Sequence, residues 1–265
     1  MIAWLRIAAL LVVLAGASAV VAPVQVLAIR FGWPLGRRLP LLWHRIVCRL
    51  VGLRIVVKGR PCTDRPLLLV ANHQSWADIL ALGAVTELSF IAKAEVRSWP
   101  IFGWLARLQR TVFVAREERG RTAEQADAIA DRLSAGDAMV LFAEGTTSDG
   151  NGILPFKTAL FGAAQAALRR SQADSVAVQP VAVAYTKVHG LPLGRYFRPL
   201  AAWPGDVALG PHLLAFLKEG AIDVEVSFGE PLSFTRTSDR KALGRRTEAA
   251  VRNLLAESLL ARPHA

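Results

Sequence analysis

The chain has 265 residues, of which 53% are hydrophobic, a mean hydropathy of +0.34 and a formal net charge of +11. This composition excludes a disordered chain, and a count of 2 cysteines excludes a disulfide framework. The length allows one sizeable core, and the positive charge calls for an anionic partner, either nucleic acid or membrane headgroups.

Residues 7–29 carry no charge, a run long enough to span bilayer hydrocarbon, with Pro23 placed to kink it or end it early. Arg6 precedes the run while Arg30, Arg37 and Arg38 follow it, an excess that puts the rest of the chain on the cytoplasmic side. A secretory signal is the competing reading, with residues 7–14 as its apolar core and Ala17-Ser18-Ala19 as the cleavage site. The apolar run continues well past that site, so residues 1–30 are read as a transmembrane anchor. In residues 31–52, Arg37, Arg38, Arg45 and Arg49 are interleaved with Leu41, Leu42, Trp43, Ile46 and Leu50, the pattern of an amphipathic interfacial helix. Trp33 and Trp43 suit the headgroup boundary. No nucleic-acid motif is present, so the charge is assigned to an anionic membrane surface and nucleic acid is dropped as a partner.

From residue 53 to residue 265 short apolar runs alternate with helical patterns, which predicts one domain with a βαβ-type sheet covered by helices. Strands are expected at residues 54–57, 67–70, 88–91, 112–115, 139–142, 176–184 and 222–228. Helices are expected at residues 76–85, 122–133, 159–170, 206–218 and 238–260. No spacing of Cys48 and Cys62 fits a metal site.

The apolar run of residues 66–71 leads straight into Asn72-His73-Gln74-Ser75-Trp76-Ala77-Asp78. His73 and Asp78 fall where a strand gives way to a helix, an arrangement suited to a general base and the acid that orients it. Ser75 and Asp78 also read as a capping box, so a purely local role for the carboxylate competes with the chemical one. Downstream, Val140-Leu141-Phe142-Ala143 runs in the same way into Glu144-Gly145-Thr146-Thr147-Ser148. A carboxylate after a buried strand is costly unless it is paired, and Gly145 permits close backbone approach, with neighbouring N–H groups suited to an anion.

Together the two segments resemble the first and third motifs of the 1-acyl-sn-glycerol-3-phosphate acyltransferase (lysophospholipid acyltransferase) family, which read Asn-His-x-Ser-x-x-Asp and Phe-Pro-Glu-Gly-Thr-Arg-Ser. Residues 93–103, ending in Pro100-Ile101-Phe102-Gly103, look like its second motif, and Val178-Gln179-Pro180-Val181 looks like its fourth. The resemblance implies an α/β fold of the glycerolipid acyltransferase type, with a mixed, mainly parallel sheet and no cofactor or metal. It implies transfer of a fatty acyl group from acyl carrier protein or acyl-coenzyme A to the hydroxyl of a lysolipid acceptor. Thioester donors are cytosolic, which fits a bacterial inner membrane with the catalytic domain on its cytoplasmic face. His73 would take the hydroxyl proton, Asp78 would fix the imidazole tautomer, and Glu144, Gly145, Thr146 and Thr147 would meet the acceptor. With no Gly-x-Ser-x-Gly elbow in the chain, direct attack is expected rather than an acyl-enzyme.

Two departures from the family pattern stand out. Ala143 replaces the usual Pro, and Thr147 replaces an Arg that would suit bidentate phosphate recognition. Either another cation, from Arg97, Arg110, Arg116 and Lys157, supplies the phosphate contact, or the acceptor has no phosphate. The wording Glu-Gly-Thr-Thr-Ser-Asp-Gly, continued as Leu154-Pro155-Phe156-Lys157, is most similar to the lyso-ornithine lipid O-acyltransferase branch, which acylates a phosphate-free aminolipid. Lysophosphatidic acid, or both acceptors, is the alternative. A hydrolase that activates water through His73 and Asp78, and a scaffold that binds lipid without chemistry, are the readings from other classes.

Overall fold

The structure is a computed structural model that describes residues 2–114, 122–170 and 173–260. Its helices are α1 (Ile2–Arg30), α2 (Leu35–Val51), α3 (Ala77–Val85), α4 (Phe102–Leu108), α5 (Thr122–Ser134), α6 (Gly162–Arg170), α7 (Leu209–Glu219) and α8 (Arg240–Leu260). Its strands are β1 (Leu53–Lys58), β2 (Leu67–Ala71), β3 (Ser89–Lys93), β4 (Val112–Val114), β5 (Ala138–Phe142), β6 (Ser175–Val188), β7 (Leu191–Pro192), β8 (Ile222–Phe228) and β9 (Leu232–Thr235).

The strands form one sheet in the order β1-β8-β6-β2-β5-β3-β4, with β7 and β9 also paired to β6. β2 is parallel to both of its neighbours, β5 and β6, and β3 is parallel to β5 and β4. β6 and β8 pair antiparallel, so the sheet is mixed and mainly parallel, as the resemblance implies. All five residues of β2 are buried, because helices cover both of its faces. Leu67, Leu69 and Ala71 share a core with Val47, Cys48, Ala81 and Leu82 of α2 and α3. Leu68 and Val70 share the other core with Ile129, Leu133, Ala167 and Val251 of α5, α6 and α8. Each such leucine or valine contributes roughly 1.5–3 kcal/mol on burial, which is why the strand shows no polar alternation.

α1 runs from Ile2 to Arg30 with Pro23 inside it, so of the two outcomes expected at Pro23, a kink or an early end, the early end does not occur. Its window Trp4–Arg30 is long and apolar enough to cross a membrane. Much of its surface is exposed apolar side chain, including Leu11, Val12, Val13, Val20 and Val26. The helix nonetheless lies along the domain and is tied to it at three levels. Arg6 donates to the carbonyls of Leu217 and Lys218, Trp43 donates to Ser18 Oγ at 3.3 Å, and Gln25 donates to the carbonyls of Gly36 and Leu108 at 3.0 and 2.7 Å. α2 turns back beside α1 and buries Val47, Cys48 and Val51, while Arg37, Arg38, Arg45 and Arg49 stay exposed together with the apolar Leu42 and Ile46. It crosses α3 so closely that a Cβ on Gly83 would stand 2.4 Å from the His44 ring.

The expected strands and helices are present with shifted ends. β6 continues to residue 188, and the helix expected from residue 159 begins as a 3-10 turn over Thr158–Phe161. α4, β7 and β9 were not expected. Ala115, the expected end of β4, and Arg116 lie outside the described residues.

Candidate active site

β2 and β5 are neighbours in parallel register, Ala71 beside Phe142, so the segments that follow them emerge together at one edge of the sheet. This is the edge where open α/β sheets place their ligand sites. Asn72 is fully buried and extends the β2–β6 pairing with its side chain: Nδ2 donates to the Val183 carbonyl at 3.0 Å and Oδ1 accepts from the Val183 N–H at 2.8 Å. That clamp fixes the residue before His73.

His73 Nδ1 stands 2.8 Å from Asp78 Oδ2. The same oxygen accepts the N–H of Gln74 at 2.8 Å and of Ser75 at 2.9 Å, while Oδ1 accepts the Tyr185 hydroxyl at 2.9 Å. With every neighbour donating, the carboxyl is an acceptor on both oxygens, so Nδ1 carries the imidazole proton and Nε2 presents the lone pair. Asp78 has no exposure, whereas the His73 side chain is 19% exposed, and its ring stacks on Phe142 with centroids 3.9 Å apart. The site can therefore take a proton at Nε2 while the buried carboxylate holds the ring in place.

The capping box is present in altered form. Asp78 reaches back to the Ser75 N–H, but Ser75 Oγ accepts from Ala77 at 3.3 Å instead of from Asp78. The cap and the His73 partner are thus one carboxylate, and its local role does not displace its contact with the imidazole.

Glu144 joins the two segments. Oε1 accepts the His73 N–H and Oε2 accepts the Leu154 N–H, each at 2.7 Å, and the Ser148 N–H returns to the His73 carbonyl at 2.8 Å. Burial pushes the Glu144 carboxyl up to about 7, against the two backbone N–H groups that lower it. Each oxygen is engaged and the side chain is buried, so Glu144 shapes the loop that an acceptor would meet rather than presenting an open carboxylate. Gly145 has φ +77 with the Lys157 side chain laid against it: a Cβ there would stand 2.8 Å from Lys157 Nζ. Thr146 is exposed and Thr147 buried, and both face Gly205, whose added Cβ would stand 2.7 and 3.8 Å from their hydroxyl oxygens. The N–H groups of Thr146 and Thr147 have no hydrogen-bond partner among the described residues.

The structure thus brings His73, Asp78, Glu144, Gly145, Thr146 and Thr147 together, with Lys157 beside them. Arg97 is exposed on the 3-10 turn Ala94–Ser98, near Trp99, whose ring meets Trp203 at 6.5 Å; Trp203 N–H in turn donates to the Gln74 carbonyl at 2.6 Å. Its segment therefore borders the site. Arg110 does not join it. Its guanidinium lies 3.3 Å from Asp137 in a cluster shared with Arg37 and Arg132, just before β5 begins. Five strand residues separate that end of β5 from Glu144, about 17 Å of extended chain.

Asn72, Tyr185 and Phe142 were missed as site residues. The available signal for Tyr185 was a polar-tipped residue inside a Val/Ala-rich strand, which needs a partner once buried.

The family model described as Acyltransferase matches residues 54–184. The lyso-ornithine lipid O-acyltransferase of Brucella abortus (strain 2308) is 59% identical over 264 residues, covering 99% of this chain and 98% of that protein. The lyso-ornithine lipid O-acyltransferase of Rhizobium meliloti (strain 1021) is 50% identical over 262 residues, covering 99% of this chain and 90% of that protein. Among solved structures, the 1-acyl-sn-glycerophosphate acyltransferase from Thermotoga maritima shares the fold, with a TM-score of 0.60 and 24% identity over 86% of this chain and 83% of that one. A full-length match at this identity, with the motif loops assembled at one sheet edge, leaves one conclusion: the chain belongs to the 1-acyl-sn-glycerol-3-phosphate acyltransferase family and is an acyltransferase.

Proposed function

We propose that this acyltransferase moves a fatty acyl group from a thioester donor, acyl carrier protein or acyl-coenzyme A, to the hydroxyl of lyso-ornithine lipid. The Brucella and Rhizobium relatives, whose names specify that acceptor, support it. The observation that carries the chemistry is the Tyr185–Asp78–His73 chain of hydrogen bonds, which leaves Nε2 as the accepting nitrogen at an accessible ring. His73 Nε2 takes the hydroxyl proton as the oxygen attacks the thioester carbon. The C–S bond then breaks, and the proton passes from the imidazolium to the departing thiolate. Asp78 stabilises that imidazolium without itself being protonated. The N–H groups of Thr146 and Thr147 are the donors best suited to the oxyanion formed on attack, since no other group in the described residues uses them.

The domain sits on the cytoplasmic face of the bacterial inner membrane, held by residues 1–30 with the interfacial helix of residues 31–52, while residues 53–265 carry the chemistry. Arg6 and Gln25, near opposite ends of α1, both bond to the catalytic domain, so the two ends of the helix lie on the same side as that domain. Seating in one leaflet fits those contacts better than a full span. The amphipathic face of α2 and its arginines would rest among anionic headgroups.

A second acceptor, lysophosphatidic acid, is favoured by one observation: the Lys157 ammonium lies against Gly145, where it could meet a phosphate. Purified enzyme supplied with labelled acyl donor and each lysolipid in turn decides between them by product. His73→Ala should lower turnover by about two to four orders of magnitude with either acceptor. Retention of a tenth or more of the wild-type rate would remove the base assignment.

A further inference from the structure

The loop that carries Ser148 continues into an anchored, exposed carboxylate. Asp149 Oδ1 accepts the Asn151 N–H at 2.9 Å and Oδ2 accepts Asn151 Nδ2 at 3.0 Å. Asn151 Oδ1 is held in turn by Arg198 Nη1 at 2.7 Å. Arg198 is only 8% exposed and carries a buried Nε with no partner among the described residues, as does the side-chain oxygen of the fully buried Gln74. Both side chains converge on Gly150, where an added Cβ would stand 2.3 Å from Gln74 Oε1 and 3.1 Å from Arg198 Cδ. A buried arginine has thus been placed under a surface loop one residue from the His73 contact. The two Asn151 hydrogen bonds, and after them the charges of the exposed Arg195 and of Arg198, hold the Asp149 carboxyl below the usual carboxylate range.

Ornithine joined to a fatty chain through one amino group keeps one ammonium and one carboxylate. An exposed carboxylate, with the charge of Arg195 near enough to act on it, matches that zwitterion, whereas Asp149 would repel a phosphate. The Ser148 N–H bonds to the His73 carbonyl at 2.8 Å, and consecutive Cα atoms are about 3.8 Å apart, so the Asp149 backbone lies within about 10 Å of the His73 backbone. That is the scale of the distance from a lysolipid hydroxyl to its headgroup. We propose that Asp149, positioned by Asn151 and Arg198, binds the free ammonium of the acceptor headgroup, with Arg195 taking its carboxylate. This inference rests on the lyso-ornithine lipid reading above.

The test compares wild type and Asp149→Asn on lyso-ornithine lipid and on the same lipid with its free amine acetylated. A lost charge-assisted contact should raise the wild-type KM for the acetylated lipid by about tenfold or more. Asp149→Asn should raise KM for the unmodified lipid by a similar factor, with kcat held within about twofold, and should use the acetylated lipid as wild type does. Arg195→Gln should raise KM for the unmodified lipid and leave that for its carboxyl methyl ester alone. The acetylated lipid needs no mutation, so a folding defect in a variant cannot imitate the result. An Asp149→Asn enzyme with wild-type KM for the unmodified lipid overturns this inference and leaves the acceptor assignment standing. Failure of the wild type to use lyso-ornithine lipid, with lysophosphatidic acid consumed, overturns both.

Discussion

Tyr185 donates its hydroxyl to Asp78 Oδ1 at 2.9 Å from a side chain with no solvent exposure. Burial, and then the adjacent Asp78 charge, push the phenol well above its ordinary value, so it remains a donor throughout the working range. The phenol and two backbone N–H groups together fix the carboxylate that fixes His73. Removing the hydroxyl leaves a buried acceptor unsatisfied, which costs about 1–3 kcal/mol. Tyr185→Phe should therefore lower the melting temperature and reduce kcat by about tenfold, with KM for the acceptor little changed, since Tyr185 acts through the ring position and not through the lipid. Steady-state kinetics beside a thermal melt checks this, and an unchanged kcat in a destabilised variant would confine Tyr185 to a packing role.

That tyrosine marks the limit of what could be read from the chain alone. His73 and Asp78 were legible because both lie on one short segment whose strand and helix signals are strong. Tyr185 is 107 residues from Asp78, and the two meet only because β6 lies beside β2, an adjacency that no local pattern encodes. β2 and β5 were legible because strands covered on both faces are apolar throughout. The end of β6 was not, because Thr186 and Lys187 are half-buried near its edge and break the run. α4 was missed because it is one short helix of seven residues that opens Phe102-Gly103. Arg110 was drawn toward the acceptor because a basic residue beside a strand can serve either end of the sheet, and the buried Asp137 claims it at the far end.

Glu144 predicts a pH dependence. Its carboxyl is raised from the ordinary 4.5 to about 7, so between these values the folded chain holds a proton that the unfolded chain has lost. The folded state binds more protons in that window, and stability must fall as pH rises through it. The full effect is bounded by the conversion of about 1.4 kcal/mol per unit, giving up to about 3 kcal/mol. Glu144→Gln should flatten the slope of melting temperature against pH in this window. It should also lower activity, because an amide offers only one acceptor where Glu144 serves the N–H groups of His73 and Leu154. A wild-type melting temperature that climbs steadily from pH 4.5 to pH 7 with the same slope in Glu144→Gln would show the carboxyl ionised across the whole window.

The contacts of α1 predict its topology. The exposed apolar face of the helix should resist extraction by high salt, which screens headgroup attraction and leaves apolar burial untouched. Without residues 1–30, the protein should become salt-extractable, held by the arginines of α2 alone. If both ends of α1 stay with the domain, a tag ahead of Met1 is digested in inside-out vesicles and protected in right-side-out ones. Digestion from the periplasmic side would establish a full span and break the Arg6 contacts.

Thr147 stands where the family motif Phe-Pro-Glu-Gly-Thr-Arg-Ser has Arg, and its surroundings make that exchange informative. The side chain is 9% exposed and faces Gly205, so an arginine must push past the turn that contains Gly205 before its guanidinium reaches the loop surface. Some rate should be lost with every acceptor through that displacement. The ratio between acceptors is free of the common loss, since it compares two substrates on one protein under one donor and one salt condition. A guanidinium that reaches the acceptor adds a charge-assisted hydrogen bond to phosphate, about 1.5–3 kcal/mol. Thr147→Arg should then raise the kcat/KM of lysophosphatidic acid relative to lyso-ornithine lipid by about tenfold or more, the factor that corresponds to the lower end of that range. An unchanged ratio would mean that the site meets phosphate through another cation, with Lys157 against Gly145 the nearest candidate, and that the residue at position 147 does not select the acceptor.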